Sequence, residues 1–445
     1  MFIDFSILGI ILFAIMAWGA NRPFLMAILS AGLLLAFTGR LVWSLRNDRF
    51  FIPYRTLFIP LSALFVLVVW QLLNPRPALD AAPVLWPYSV ESYTTRLYLL
   101  LLGSFIALFY SVMRGFHSRS QISIAIYWII GVGVLESLYG FIQQVGGYEY
   151  VWKTPTLGVG AQGTLMNHNH FALLLNMSIC TGVGFLYRRT LELLRGQILG
   201  IRNFLNMSEL PRLFIILLWI GFIGLGVFLS LSRTGIFAMF AALGSMLLAL
   251  GCSGKRKHAV SIMIAVLLVV FGLGLYSGMG DAFDRYASLA RNWQFEESRG
   301  TLWKDAWPMI ATSPLFGTGL GSFKWTYPAY ESLNPDIPAV YAHNDYLQLI
   351  IEIGFIGFGL VLWAFVICLK TALKNLKSGD PLTRSIGLAA IGALVAVAIQ
   401  EFVDYSLFIP GVAAMLVLLI SLNEKVASLE KRGDLQAGDV KSISC

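Results

Sequence analysis

Apolar runs long enough to cross about 30 Å of hydrocarbon recur along nearly all of this 445-residue chain, and that recurrence leaves few folds open. In lipid every backbone N–H and C=O must find its partner inside the protein, so such runs fold as helices. They fall at 2–18, 23–39, 56–73, 96–113, 121–142 and 170–187, then at 211–229, 234–251, 259–276, 345–369, 385–402 and 407–423. The expectation is an all-α integral membrane protein with about twelve transmembrane helices, residues 1–445 forming one polytopic domain. Composition agrees: 57% of residues are hydrophobic and 13% charged, with mean hydropathy +0.74, against about 25% charged in soluble domains. The first run has no basic leader, carries Asp4 and lacks a small-x-small cleavage site, so it reads as a retained helix.

Charge position sets the expected topology. The connections after the second, fourth, sixth, eighth and tenth runs, with the tail, hold 22 of the 32 Lys and Arg residues. By the positive-inside rule that side is the cytoplasm, with both termini and a cytoplasmic tail at 424–445. A net charge of +8 distributed this way speaks for membrane lipids and not for nucleic acid. The four cysteines, Cys180, Cys252, Cys368 and Cys445, lie in or beside apolar runs or at the tail and imply no disulfide framework.

The opposite, periplasmic side carries the long connection 277–344, between the ninth and tenth helices, where function is expected. It is rich in Tyr, Trp and Phe, suited to anchoring at the interface and also to stacking on sugar rings. Within it, Arg299–Ala311 places Leu302, Ala306, Met309 and Ile310 on one face, the pattern of a helix lying on the membrane, with Pro308 bending it. Gly317, Gly319 and Gly321 mark a close turn. A formal G-x-G-x-x-G at Gly158, Gly160 and Gly163 is discarded, because no βαβ unit surrounds it.

Three polar clusters fall on that side: Asn167-His168-Asn169-His170, Ser230-Leu231-Ser232-Arg233, and His343-Asn344-Asp345 running into the helix that carries Gln348 and Glu352. If that helix starts near Asn344, then Asp345, Gln348 and Glu352 share one face, and His343 sits at its tip as either a cap or a functional group. Arg233 and Arg299 run against the inward bias of basic residues and point to a bound anion. For Glu136 and Glu401 an ion pair with an outward arginine is the expectation; Asp404 stays open. His168 and His170 raise the question of a metal, but an i, i+2 pair faces one side only in extended chain and no D-x-D occurs, so no catalytic metal is expected.

The run Ala342-His343-Asn344-Asp345-Tyr346-Leu347-Gln348 through Glu352-Ile353-Gly354-Phe355-Ile356-Gly357 resembles the signature of the O-antigen ligase and polymerase superfamily of bacterial membrane glycosyltransferases. Gly163–Ala172 resembles its upstream asparagine element, Leu231–Gly235 and Ser298–Trp303 its two arginine elements, and Asp404–Leu407 its late acidic one. The resemblance covers about 160–410. It departs at Leu165, where the family usually has an aromatic, and at the extra His168 and His170.

The resemblance implies an inner-membrane enzyme, without cofactor or metal. Such an enzyme transfers a glycan from undecaprenyl diphosphate, with inversion, to a lipid-linked glycan or a lipid A core. It implies His343 as general base and Arg233 and Arg299 on the diphosphate, with Asn167, Asn169, Asn344, Asp345, Gln348, Glu352 and Asp404 in support. A polymerase or exopolysaccharide assembly enzyme is slightly favoured over a ligase. The rival is a transporter or flippase of lipid-linked oligosaccharide, which would place its charges near the midplane and show paired halves.

Overall fold

The computed structural model describes residues 2–47, 55–76, 84–148, 150–152, 154–155, 160–194, 210–252, 265–266, 268–270, 272, 294–332 and 339–432. Most of the ninth expected span and residues 277–293 and 333–338 of the long connection lie outside these, as do residues 433–445 of the tail. Among the described residues the chain is almost entirely helical, and ten helices are long and apolar enough to cross a membrane. They are α2 (Pro23–Arg46), α3 (Arg55–Leu73), α4 (Ser92–Gly115), α5 (Arg119–Gly146), α6 (His168–Leu194), α7 (Leu210–Leu229), α8 (Arg233–Cys252), α11 (Asp345–Leu376), α12 (Pro381–Gln400) and α13 (Pro410–Arg432). A shorter apolar helix, α1 (Phe2–Met16), precedes them, and α9 (Gln294–Thr312) and the single turn α10 (Phe323–Thr326) lie in the long connection.

Local sequence starts these helices where expected. Ser118 and Gln121 form a reciprocal capping box on α5. Asp380 accepts from the Thr383 N–H ahead of Pro381 on α12. Helix α6 is buried on every side and packs most closely against α12, with α7, α5 and α8 around it. Hydrogen bonds between helices supplement that packing, as from Asn176 Nδ2 to the Gly235 carbonyl at 2.9 Å.

Polar residues segregate to the two ends. At one end Arg40 pairs with Asp4, Arg119 with Asp380 at 2.6 Å, and Lys425 Nζ donates to the Met113 carbonyl at 2.7 Å. Arg40, Arg119 and Lys425 therefore share one end of the bundle. Helix α13 continues to Arg432 with Asn423, Glu424 and Lys425 buried, so the stretch from 424 begins as packed helix and not as tail.

At the other end the long connection folds back onto α11. The apolar face of α9, Leu302, Ala306, Met309 and Ile310, is buried against Phe323, Tyr327, Leu347 and Ile351. Folded chain, and not a membrane surface, covers the stripe, while Trp307 on the other side is exposed. Gly317, Gly319 and Gly321 all have positive φ, at 72°, 110° and 80°, and a Cβ at Gly317 would lie 2.3 Å from the Glu352 backbone. This turn meets a break in α11 at Gly354, where φ is 66° and ψ −179°. The carbonyls freed there are taken up: Ile351 accepts from the Thr318 N–H and Glu352 from the Gly319 N–H, both at 2.9 Å, and Gln71 Nε2 also donates to Glu352 O at 2.9 Å.

Candidate active site

Tyr405, in the turn between α12 and α13, is the hub of the site end. Its ring stacks on Tyr341 with centroids 4.2 Å apart and meets the imidazoles of His343 and His170 edge-on, each at 4.7 Å. Its hydroxyl bonds the Asn167 side chain. Three distant segments thus meet the 401–408 turn at one ring: the start of α6, the 341–344 approach to α11 and, by its charge, Arg299 of α9.

His343 is held from both sides. It sits at φ 49°, a left-handed conformation uncommon for a side-chain-bearing residue. Ahead of it, the Ala342 N–H donates to Gln348 Oε1 at 3.0 Å, and Trp303 Nε1 donates to the Ala342 carbonyl at 2.9 Å. Behind it, Asn344 Oδ1 caps α11 by accepting from the Leu347 N–H at 3.0 Å. The cap belongs to Asn344, so capping does not account for the imidazole. His343 Nδ1 is buried with no hydrogen-bond partner among the described residues. Burial first, and then the charge of Arg299, lowers its pKa to about 4, with Asp404 opposing. The ring is therefore neutral at neutral pH and able to accept a proton.

Asp404 is buried 3.7 Å from His170 Nε2 and accepts from Ser406 Oγ at 2.7 Å. Burial raises its pKa, while the Ser406 hydrogen bond and the charges of His343 and Arg299 hold it down. Glu401 and Asp345 form a buried carboxyl pair, and the Asp345 N–H donates to the Glu401 carbonyl at 3.0 Å. Burial pushes Glu401 up to about 8, against its hydrogen bond to Asp345 and with the Asp404 charge adding. Among the described residues no donor of normal geometry reaches either Asp345 oxygen or Glu401 Oε1, an arrangement stable when the pair shares a proton.

The expected common face of α11 divides along its length. Asp345 at the tip turns to Glu401, whereas Glu352, two turns or about 10 Å further on, accepts from the Gly321 N–H at 2.6 Å, the Phe323 N–H at 3.2 Å and Gln348 Nε2 at 3.0 Å. Glu352 and Gln348 thereby tie the glycine turn to the loop that carries His343. The ion pairs expected for Glu136 and Glu401 are replaced by hydrogen bonds from uncharged donors. Glu136 accepts from the Thr164 N–H and Oγ1 at 2.9 and 2.6 Å, which satisfies both its oxygens without a cation, and Glu401 accepts from the Ser406 N–H at 2.8 Å.

Arg299 and Arg233 reach the site by different routes. Arg299 is half-buried and its charge acts on His343, Asp404, Tyr405 and His168. Arg233, exposed at the start of α8, is one residue from Ser232, whose Oγ donates to Asn169 Oδ1 at 2.7 Å, and Gln400 Nε2 donates to the Asn169 carbonyl at 2.5 Å. Asn167 Oδ1 in turn accepts from the Asn169 N–H at 2.8 Å. Among the described residues no three His, Cys, Asp or Glu side chains converge as metal ligands. The sequence reading gave no part to Tyr405 or Gln400; the only signal for Tyr405 was its place next to Asp404 in the late acidic element.

Residues 216–362 match the family model described as O-Antigen ligase, which takes in Arg233, Arg299, His343 and Glu352 and stops short of Asn167 and Asp404. No match was found among curated proteins.

Proposed function

We propose that this chain, whose residues 216–362 match the family model described as O-Antigen ligase, is a member of the O-antigen ligase and polymerase superfamily and transfers a glycan from undecaprenyl diphosphate to an acceptor sugar at the end of the bundle that carries His343. The acceptor hydroxyl attacks the anomeric carbon and its proton passes to the imidazole of His343. The bond to the diphosphate oxygen breaks on the opposite face, giving inversion, and the negative charge left on the diphosphate is held by Arg299 and Arg233. No metal takes part. The acceptor is a second lipid-linked glycan or a lipid A core, and the bias of basic residues supports a site on the periplasmic face of the inner membrane with both termini in the cytoplasm.

The observation that carries this reading is the neutral, pinned imidazole of His343 beside the guanidinium of Arg299. A base depressed by a neighbouring cation strengthens when that cation is neutralised. Binding of the donor diphosphate to Arg299 would raise the basicity of His343 at the moment the acceptor needs it. Asn167, Asn169 and Asp404 hold the Tyr405 hub and the Arg233 turn; Asn344, Gln348 and Glu352 hold the His343 loop.

One observation favours a second reading, a flippase of lipid-linked oligosaccharide: a broken membrane helix, here at Gly354, is a feature of transporters. The freed carbonyls at this break are already bonded to Thr318, Gly319 and Gln71, which leaves them poorly suited to bind a coupling ion. The test is single-turnover transfer and donor binding in nanodiscs. His343→Ala should leave donor affinity near native and slow transfer by roughly 100-fold to 10,000-fold. Arg299→Ala and Arg233→Ala should weaken donor binding, with Lys restoring only part. A folded His343→Ala protein that transfers at near-native rate would refute the assignment, and donor translocation without transfer would favour the flippase.

A further inference from the structure

At the end of the bundle opposite His343, a cleft of about 420 Å³ opens between α5, α6 and α7, lined by Tyr127, Arg189, Glu192, Arg212, Ile216 and Trp219 among others. Glu192 accepts from Arg188 Nε at 2.6 Å and from Arg189 Nη1 at 3.2 Å, and Arg189 Nη2 also donates to the Tyr127 hydroxyl at 3.3 Å. Among the described residues that line the cleft, two guanidinium groups, Arg189 and Arg212, stand with one carboxylate, Glu192. The surrounding surface is apolar: Phe214, Leu218 and Trp219 of α7 and Ile124 of α5 are all exposed, as residues facing acyl chains are. The cleft is thus cationic within and opens toward lipid. It is also one helix length from the glycosyl-transfer residues, which leaves it without a part in that chemistry.

We infer that this cleft binds the headgroup of an anionic phospholipid, its phosphate between Arg189 and Arg212 and its acyl chains along α7. Arginine presents paired donors to a phosphate. Tyr127 and Trp219 carry a polar edge on an apolar ring, as side chains at the headgroup level do. Basic pockets between membrane helices at the end richest in Lys and Arg suit this class of ligand. A zwitterionic lipid would bring its own cation beside Arg189 and Arg212, and is selected against.

The test is lipid binding to the full chain in neutral detergent, counted by native mass spectrometry with phosphatidylglycerol or phosphatidylcholine. The wild type should favour phosphatidylglycerol. Arg189→Gln and Arg212→Gln should each reduce that preference about fivefold, the scale of one basic side chain at an anionic surface, and the double variant about 25-fold. Arg212→Lys should keep most of it, which guards against misfolding as the cause of the loss. Lys374→Gln, an exposed cation at the same end but on α11, should change nothing. Equal binding of the two lipids by the wild type, or a Lys374→Gln loss as large as that of Arg212→Gln, overturns the proposal. Displacement of phosphatidylglycerol by millimolar inorganic phosphate does so too, since it would make the cleft a site for the free anion.

Discussion

Replacing Tyr405 by Ala should do more damage to transfer than to the fold. The ring makes three contacts, one stacked at 4.2 Å and two edge-on at 4.7 Å. At about 0.5–1.5 kcal/mol for each aromatic pair, their loss amounts to about 1.5–4.5 kcal/mol. His343 would keep its backbone anchors through Ala342 and Asn344 but lose the surface against which its imidazole rests. A displacement of about 1 Å is enough to cost about 100-fold in rate. Tyr405→Phe preserves every ring contact and loses only the hydroxyl bonded to Asn167, so it should stay within about tenfold of native, on the scale of one hydrogen bond. The assay is single-turnover transfer in nanodiscs with thermal unfolding measured in parallel, for both variants and for each combined with His343→Ala. Because Tyr405 is a positioning residue acting through His343, adding Tyr405→Ala to His343→Ala should slow transfer little further. Independent, multiplicative losses in that cycle, or a folded Tyr405→Ala protein within about twofold of the native rate, would refute the reasoning.

Transfer should fall on the acid side as His343 is protonated, with the kcat/KM limb of the free enzyme governed by a pKa of about 4. Since the charge of Arg299 opposes that protonation, Arg299→Ala should move the limb to higher pH; a pH–rate profile with an unmoved limb would contradict the pairing. Glu401 holds a proton in the folded state up to about pH 8 that the unfolded chain, near 4.5, releases earlier. Stability should therefore decline as pH rises through that window, and Glu401→Gln should flatten the slope in thermal unfolding across it. Glu352→Ala would strand the donors of Gly321, Phe323 and Gln348, a loss on the order of 3 kcal/mol or more at about 1–3 kcal/mol for each buried donor, read as a lower midpoint with Glu352→Gln intermediate. Chelation by EDTA should leave transfer by the purified protein unchanged, and a loss restored by zinc or magnesium would reverse the metal-free assignment.

The helical architecture was legible because membrane burial writes itself into local composition: each of the ten long helices overlaps an apolar run. What stayed hidden depends on contacts between distant segments. Lys425 reads as the start of a tail, since nothing beside it signals that its ammonium will reach the Met113 carbonyl. Glu136 reads as half of an ion pair because the Thr164 N–H that satisfies it is contributed by another segment. The stripe on α9 has the right period for a membrane surface, and periodicity cannot say whether lipid or folded chain will cover it. His343, Asn344 and Arg299 were visible as polar residues out of place, whereas Tyr405 was one tyrosine among 17, and only the folded chain gathers three rings around it.

The break at Gly354 gives α11 two mechanical halves. In a continuous helix, adding or removing one residue in the lower half would turn everything above it by about 100°, and His343 with it. Here the hydrogen-bond ladder is interrupted, and the short upper stub, Asp345–Ile353, is bolted to the glycine turn through Thr318, Gly319 and Glu352. Torsion in the lower half, whether from a length change or from a bilayer of different thickness, is absorbed at the joint before it reaches the imidazole. Phe355 and Ile356, which open the lower half, donate to the Pro314 and Leu315 carbonyls at 2.9 and 3.1 Å, so the same loop fastens both sides of the joint and sets the aim of the base.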